Sequence, residues 1–384
     1  MTDDAPLLST WRRIKPYIYV FDTPLVIILT LLAGFSLVTL YSAAYDFPGR
    51  FEGQLRNFVA AFVMMWILAN VTPQTLMRLA VPVYAFGIAL LFAVASFGLA
   101  KKGARRWLDL GVVVQPSEIM KIGVPLMLAW YFHKHETEVR VRDFFAAMVM
   151  VVIPVALIAK QPDLGTALLV FAAGIYVIYF AGLSWKLIVP ILLVALLGAG
   201  SVIYFGDRMC ADSVAWPGMR DYQKQRICTL LDPTTDPLGK GFHTIQSAIA
   251  VGSGGVTGKG YMQGTQAHLE FIPERTTDFI FAVYAEEFGL VGNVLLLVLY
   301  TALIVRGLMI AGSAPWYFSR LLAGAITLIF FTYAFVNIGM VSGILPVVGV
   351  PLPFMSYGGT ALSTLGIGAG ILMSIQRHRK LVPT

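Results

Sequence analysis

Apolar runs long enough to cross a membrane recur along almost all of this 384-residue chain, and that recurrence leaves few folds open. A helix needs about 20 apolar residues to traverse roughly 30 Å of hydrocarbon. About ten stretches qualify: 24–41, 55–71, 76–99, 116–132, 144–159, 166–183, 187–205, 279–305, 321–341 and 361–375. With 58% hydrophobic and 13% charged residues, the chain is not a soluble globular domain. The expected fold is an all-α polytopic membrane protein, a single domain over 1–384, with one large extracytoplasmic loop at 206–278 between the seventh and eighth spans. Membrane lipid is its first expected partner; nucleic acid is not one.

The first run follows "WRRIKPY", whose Arg12, Arg13 and Lys15 suit a cytoplasmic anchor. No small-residue cleavage site lies behind it, so a retained helix is expected. Ten spans return the carboxyl terminus to the same side, where Arg377, Arg379 and Lys380 adjoin the last helix; 1–20 and 376–384 are both expected in the cytoplasm. Inner connections hold Arg78, Lys134, Arg140, Arg142, Lys186, Arg306 and Arg320, as the positive-inside rule requires. The exception is "LAKKGARRWLDLG", which sets Lys101, Lys102, Arg105 and Arg106 on the outer face. Either the span count is off by one, or a cationic site for an anionic ligand overrides the insertion bias.

The large loop holds both cysteines, Cys210 and Cys228, which form either a disulfide or two inert thiols. Within it, "FHTIQSAIAV" has the apolar spacing of a short interfacial helix. "GSGGVTGKG" is not a phosphate-binding P-loop, because Ser253 stands at the first glycine and Gly260 follows Lys259; a flexible turn is expected. The five histidines show no metal-ligand spacing. Gly366 and Gly370, four apart in the last span, point to close helix packing.

Four motifs carry candidate chemistry. In "QPSEIMKIG", Pro116 can open a helix and Glu118 and Lys121 share a face, as a structural salt bridge or as part of a site. In "KQPDLGTALL", Asp163 is a helix cap, and Lys160 is either a turn residue or part of the outer cationic surface. "GILPVVGVPLPFMSYGG" cannot be a regular helix, and broken backbone at membrane depth should line a cavity, with Ser356 and Tyr357 as contacts. In "EFIPERTTDFIFAVYAEEFGLVG", Glu274, Arg275 and Asp278 lead into the eighth span. Asp278 either caps that helix or does chemistry. Glu286 lies within roughly 80° of the same face at 100° per residue, and Glu286 and Glu287 are carboxylates that an apolar helix has no evident reason to keep.

Taken in order, "RRWLDLG", "QPSEIMKI", "KQPDLGTALL", "GKGYMQGTQAHLEFIPERTTDFIFAVYAEEFGLVG" and "LPVVGVPLPFMSYGGTAL" resemble the SEDS family (shape, elongation, division and sporulation) over nearly the whole chain. "PERTTDF" looks more like the rod-elongation branch than the division branch, which tends to carry Ala where Arg275 stands; Thr276 stands where His is typical. The resemblance implies a ten-helix peptidoglycan glycosyltransferase that polymerises lipid II at the outer face of the cytoplasmic (inner) membrane during cell elongation and rod-shape maintenance. It also implies a class B penicillin-binding protein as crosslinking partner and an essential Asp278. It carries nothing over to the cysteine pair.

In such a reaction a sugar hydroxyl displaces a polyprenyl diphosphate. Asp278 is the candidate general base; alternatively it orients the acceptor or holds a divalent cation, Mg or Mn, against the diphosphate. No other cofactor is expected. Arg105, Arg106, Lys121, Lys160, Lys240 and Arg275 form the pool of cations for the leaving group, and Glu118, Asp163, Glu274, Ser356 and Tyr357 complete the substrate-contact set. A lipid II flippase and a non-catalytic scaffold for the crosslinking partner are the rival readings; a flippase requires charges spread through the bilayer depth.

Overall fold

The computed structural model describes residues 20–379 apart from 102–103, 110–112, 212–213, 215, 217–220, 233–239, 270 and 273. Each of the ten expected spans falls on a helix: α1 (Thr23–Ala43), α2 (Arg50–Asn70), α3 (Pro73–Phe97), α4 (Pro116–Lys134), α5 (Val141–Lys160), α6 (Leu164–Phe180) and α7 (Trp185–Tyr204), then, beyond the large loop, α12 (Ile280–Ser313), α13 (Tyr317–Val341) and α14 (Gly359–Arg377). The loop contributes α8 (Gly206–Met209), α9 (Asp221–Leu231), α10 (Lys240–Ser253) and α11 (Thr265–His268). Among the described residues, six of these helices, α1, α3, α5, α12, α13 and α14, are long and apolar enough to cross a membrane. The chain is an all-α polytopic membrane protein. Among the described residues the one departure is a small antiparallel sheet, β1 (Leu99–Lys101), β2 (Ala104–Asp109) and β3 (Val113–Val114), which holds Lys101, Arg105 and Arg106 of the cationic segment.

Helix starts follow local chemistry. Asp22 caps α1 by accepting from the Leu25 amide at 3.1 Å, with Pro24 in the first turn, and Thr72 caps α3 in the same way. Proline opens α4, at Pro116. The central helix is α13, 78% of whose most apolar stretch is buried. By contrast α7 has no buried residue among those described. Gly366 and Gly370 set α14 directly on α2: a side chain at either would meet the Ala61 or Met65 carbonyl within 2.5 Å. That is the close packing the spacing predicts.

The eighth span departs from expectation. α12 is broken at Gly289, whose φ of 61° and ψ of −158° are not helical. The "GSGGVTGKG" segment forms the expected turn, and it fills this break. Its Lys259 and Gly260 amides donate to the Glu286 and Glu287 carbonyls at 3.0 and 3.1 Å, while the Leu290 and Val291 amides donate to Gly255 and Val256 at 2.9 and 3.1 Å. Backbone groups released by the break are thereby satisfied inside the protein.

The same junction accounts for the two acids. The fully buried Glu286 carboxylate accepts from Lys259 Nζ at 2.6 Å and from the Thr265 and Gln266 amides at 2.9 and 3.1 Å. Glu287 accepts from the Ser42 hydroxyl on α1. A buried carboxylate is tolerable when charge-paired and hydrogen-bonded, and Glu286 so held anchors the large loop to the bundle, while Glu287 ties α12 to α1. Cys210 and Cys228 are joined by a disulfide that ties α9 to the end of α8.

Candidate active site

A cavity of about 670 Å³ opens where four helix starts converge. Its lining includes Gln115, Glu118 and Lys121 from the start of α4, Asp163 and Thr166 from α6, Thr277 and Asp278 before α12, and Gly358, Thr360 and Ala361 at the start of α14. Arg106 and Trp107 of β2 and the Gly349–Val350–Pro351 loop close it. Each helix start carries roughly half a positive charge on its unsatisfied amides, so the cavity favours an anion before any side chain is counted.

A proline and a capping residue make two of those starts, α4 and α6. Asp163 caps α6 through the Thr166 amide at 3.2 Å and also accepts from Gln115 Nε2 at 3.0 Å, joining the openings of α4 and α6. Arg106 donates to the Gln161 carbonyl at 3.2 Å and to Pro162, and lies 3.9 Å from Asp163, which fixes the guanidinium at the cavity wall. Deeper, Lys121 is 2% exposed and donates to Glu118 at 2.6 Å and to the Tyr333 hydroxyl at 2.5 Å. Thr364 donates to the other Glu118 oxygen at 3.0 Å. Burying a lysine in a membrane bundle requires such partners, and the pair still faces the cavity.

Asp278 does not cap the eighth span. The helix begins at Ile280 with Phe279 at the cap and no capping side chain, which leaves Asp278 in the preceding turn, lining the cavity. Three successive carbonyls of that turn are each taken by a different donor from the C-terminal part of the chain. The Tyr357 amide donates to Thr276 at 2.9 Å, the Ser356 hydroxyl to Thr277 at 2.6 Å, and Asn337 Nδ2 to Asp278 at 2.8 Å. Ser356 also accepts from the Leu352 amide at 2.7 Å, so it braces the turn and does not line the cavity, whereas Tyr357 does. The Asp278 carboxylate packs on Gly349, where a built Cβ would lie 3.3 Å from Oδ2.

Of the candidate residues, the cavity gathers Arg106, Glu118, Lys121, Asp163, Asp278 and Tyr357. Arg275 is elsewhere: 2% exposed, it donates to the Ala43 carbonyl at 2.9 Å and to Asp46, between the Tyr45 and Phe47 rings. It thus pins the motif to the α1–α2 connection. Glu274 accepts from Thr277 Oγ1 at 3.0 Å and Lys160 is exposed at the end of α5; neither lines the cavity. The side chains of Arg105 and Lys240 lie outside the described residues. Glu286 sits at the loop anchor and not beside Asp278. Thr276 accepts from Arg50, whose guanidinium stacks 3.9 Å from the Phe47 ring and 5.7 Å from that of Tyr357.

Sequence reasoning passed over Gln115, Thr166, Tyr333, Asn337 and Arg50. Asn337 could have been found, since a lone amide in the apolar run "YAFVNIGM" is a functional candidate by its cost alone. Among the described residues no group of three or more His, Cys, Asp or Glu side chains could hold a metal by itself.

The chain is 47% identical to the peptidoglycan glycosyltransferase MrdB of Escherichia coli K12, over all of this chain and 99% of that one. It is 33% identical, with a TM-score of 0.77, to a chain solved in a peptidoglycan synthase complex that coordinates polymerization and crosslinking; the match covers 94% of this chain and 99% of the other. The rod shape determining protein RodA of Thermus thermophilus superposes with a TM-score of 0.68 at 28% identity, covering 94% and 97%. The model of the cell cycle protein family FTSW_RODA_SPOVE matches residues 22–381, and the chain belongs to that family.

Proposed function

We propose that this protein is a peptidoglycan glycosyltransferase that polymerises lipid II during cell elongation and rod-shape maintenance, with Asp278 as the general base. The observation that carries the reading is the placement of Asp278 in a cavity ringed by four helix starts and two fixed cations. A neutral sugar hydroxyl is a weak nucleophile, and a positioned carboxylate that takes its proton contributes about 10²–10⁴-fold. The diphosphate of the donor lipid gains charge as it leaves, and preorganised amides, Arg106 and Lys121 face it at no reorganisation cost. Single displacement inverts the anomeric carbon.

The charged side chains among the lining residues are two cations, Arg106 and Lys121, against three carboxylates, Glu118, Asp163 and Asp278. They do not by themselves balance a diphosphate. The alternative role for Asp278, in place of base catalysis, is to hold a divalent cation, Mg or Mn, against the substrate's phosphates, since Mg is commonly bound by one carboxylate plus phosphate oxygens. When bound, the ion would neutralise charge on the leaving group.

The partner is a class B penicillin-binding protein and the location the inner (cytoplasmic) membrane, with both termini cytoplasmic and 206–278 outside. Labelling single cysteines at 101–106 from the periplasmic side tests that orientation; labelling only from the cytoplasm overturns it. The flippase and scaffold readings are separated in liposomes loaded with fluorescent lipid II, with the partner present. Glycan strands are expected. Lipid II that crosses without polymer supports a flippase, and neither event supports a scaffold.

A further inference from the structure

We propose that Asn337 is a positioning residue for the transfer reaction, holding Asp278 against the loop that forms the adjoining cavity wall. It lies fully buried near the end of α13. Its Nδ2 donates at once to the Asp278 carbonyl at 2.8 Å and to the Val350 carbonyl at 2.7 Å. Both acceptors are carbonyl oxygens, so only the amide nitrogen can face them and the side-chain orientation is settled by the network. Oδ1 then has no partner among the described residues, a cost that an apolar side chain of the same size would avoid. That cost is offset only by what the nitrogen does.

What it joins are the two cavity walls. Asp278 and Val350 both line the cavity, and Gly349, the neighbour of Val350, is the residue against which the Asp278 carboxylate rests. The Thr276 and Thr277 carbonyls are held by Tyr357 and Ser356, which come from the same loop. The Asp278 carbonyl is held instead from the central helix, by a donor that also fixes the loop. Asn337 thereby sets the distance between a carboxylate and the wall behind it without touching substrate.

This rests on Asp278 being the reactive carboxylate, so Asp278→Ala is run beside the test. Asn337→Ala and Asn337→Ser are purified with the partner and assayed on labelled lipid II, with thermal unfolding measured on each. A displacement of about 1 Å costs about 10²-fold in rate. Asn337→Ala is therefore expected to lose about 30- to 100-fold in kcat with KM within about threefold, and Asn337→Ser, which keeps one donor, to fall between it and wild type. If Asn337→Ala does not fold, the Ser variant decides: an intermediate kcat at unchanged KM supports the proposal. A folded variant at the wild-type rate, or one that raises KM alone, overturns it. If Asp278→Ala itself polymerises normally, the failure is that of the general-base reading.

Discussion

Gly349→Ala tests how closely the cavity is built around Asp278. Gly349 has φ +73°, in the left-handed region, and an added methyl would lie 3.3 Å from Asp278 Oδ2. Two costs follow. Left-handed backbone with a Cβ costs about 1–2 kcal/mol, all of it against the folded state. The carboxylate must also retreat by about 0.3 Å; with about 10²-fold lost per ångström, that is roughly 0.8 kcal/mol in the barrier, or about fourfold in kcat. Gly343 separates the two costs. It shares φ +73°, but its added methyl meets only Thr244 Cγ2 at an ordinary 3.8 Å. Both alanine variants should lose similar thermal stability, while only Gly349→Ala loses about fourfold in glycan synthesis from labelled lipid II. Equal rates for the two variants would refute the contact-based reasoning.

Other consequences follow from the buried polar links. Removing one partner from a buried ion pair costs about 3–5 kcal/mol, so Lys121→Met should lower the unfolding temperature and Glu118→Leu in the same chain should restore most of it; no recovery would mean the pair is not coupled. Glu286→Gln removes the charge that holds Lys259, and charged hydrogen bonds are worth about 1.5–3 kcal/mol. Trypsin should then cut at Lys259 faster, and an unchanged rate would contradict the anchor. Cys210 and Cys228 are 18 residues apart in sequence and line no part of the cavity. Cys210→Ser should destabilise the large loop by about 3 kcal/mol, read by proteolysis, with glycan synthesis intact; loss of synthesis in a folded variant would contradict this.

The helices were legible because hydrocarbon thickness fixes their length, and every expected span coincides with one. The break in α12 was not, because Gly289 and Gly292 in an apolar run read equally as close helix packing; only Gly254–Gly260 arriving from the loop makes the break stable. For the site, the separate starts "QPSE", "PDLGT" and "SYGGT" were each readable as helix openings or broken backbone. Their convergence on one cavity depends on tertiary packing that spacing does not encode. The same limit explains Arg275 and Ser356. Both were grouped with the site by adjacency to its motifs, yet their donors turn to Ala43, Asp46 and Thr277, where they brace the motif from behind.

The most direct test of the account is the initial rate of glycan formation by purified Asp278→Asn with its partner and labelled lipid II. Asparagine keeps the size of the side chain and removes its basicity. The account predicts a loss of about 10²–10⁴-fold with unfolding temperature and partner binding unchanged. A rate within about threefold of wild type would contradict it, since a group that takes a proton in the transition state cannot be replaced by one that takes none.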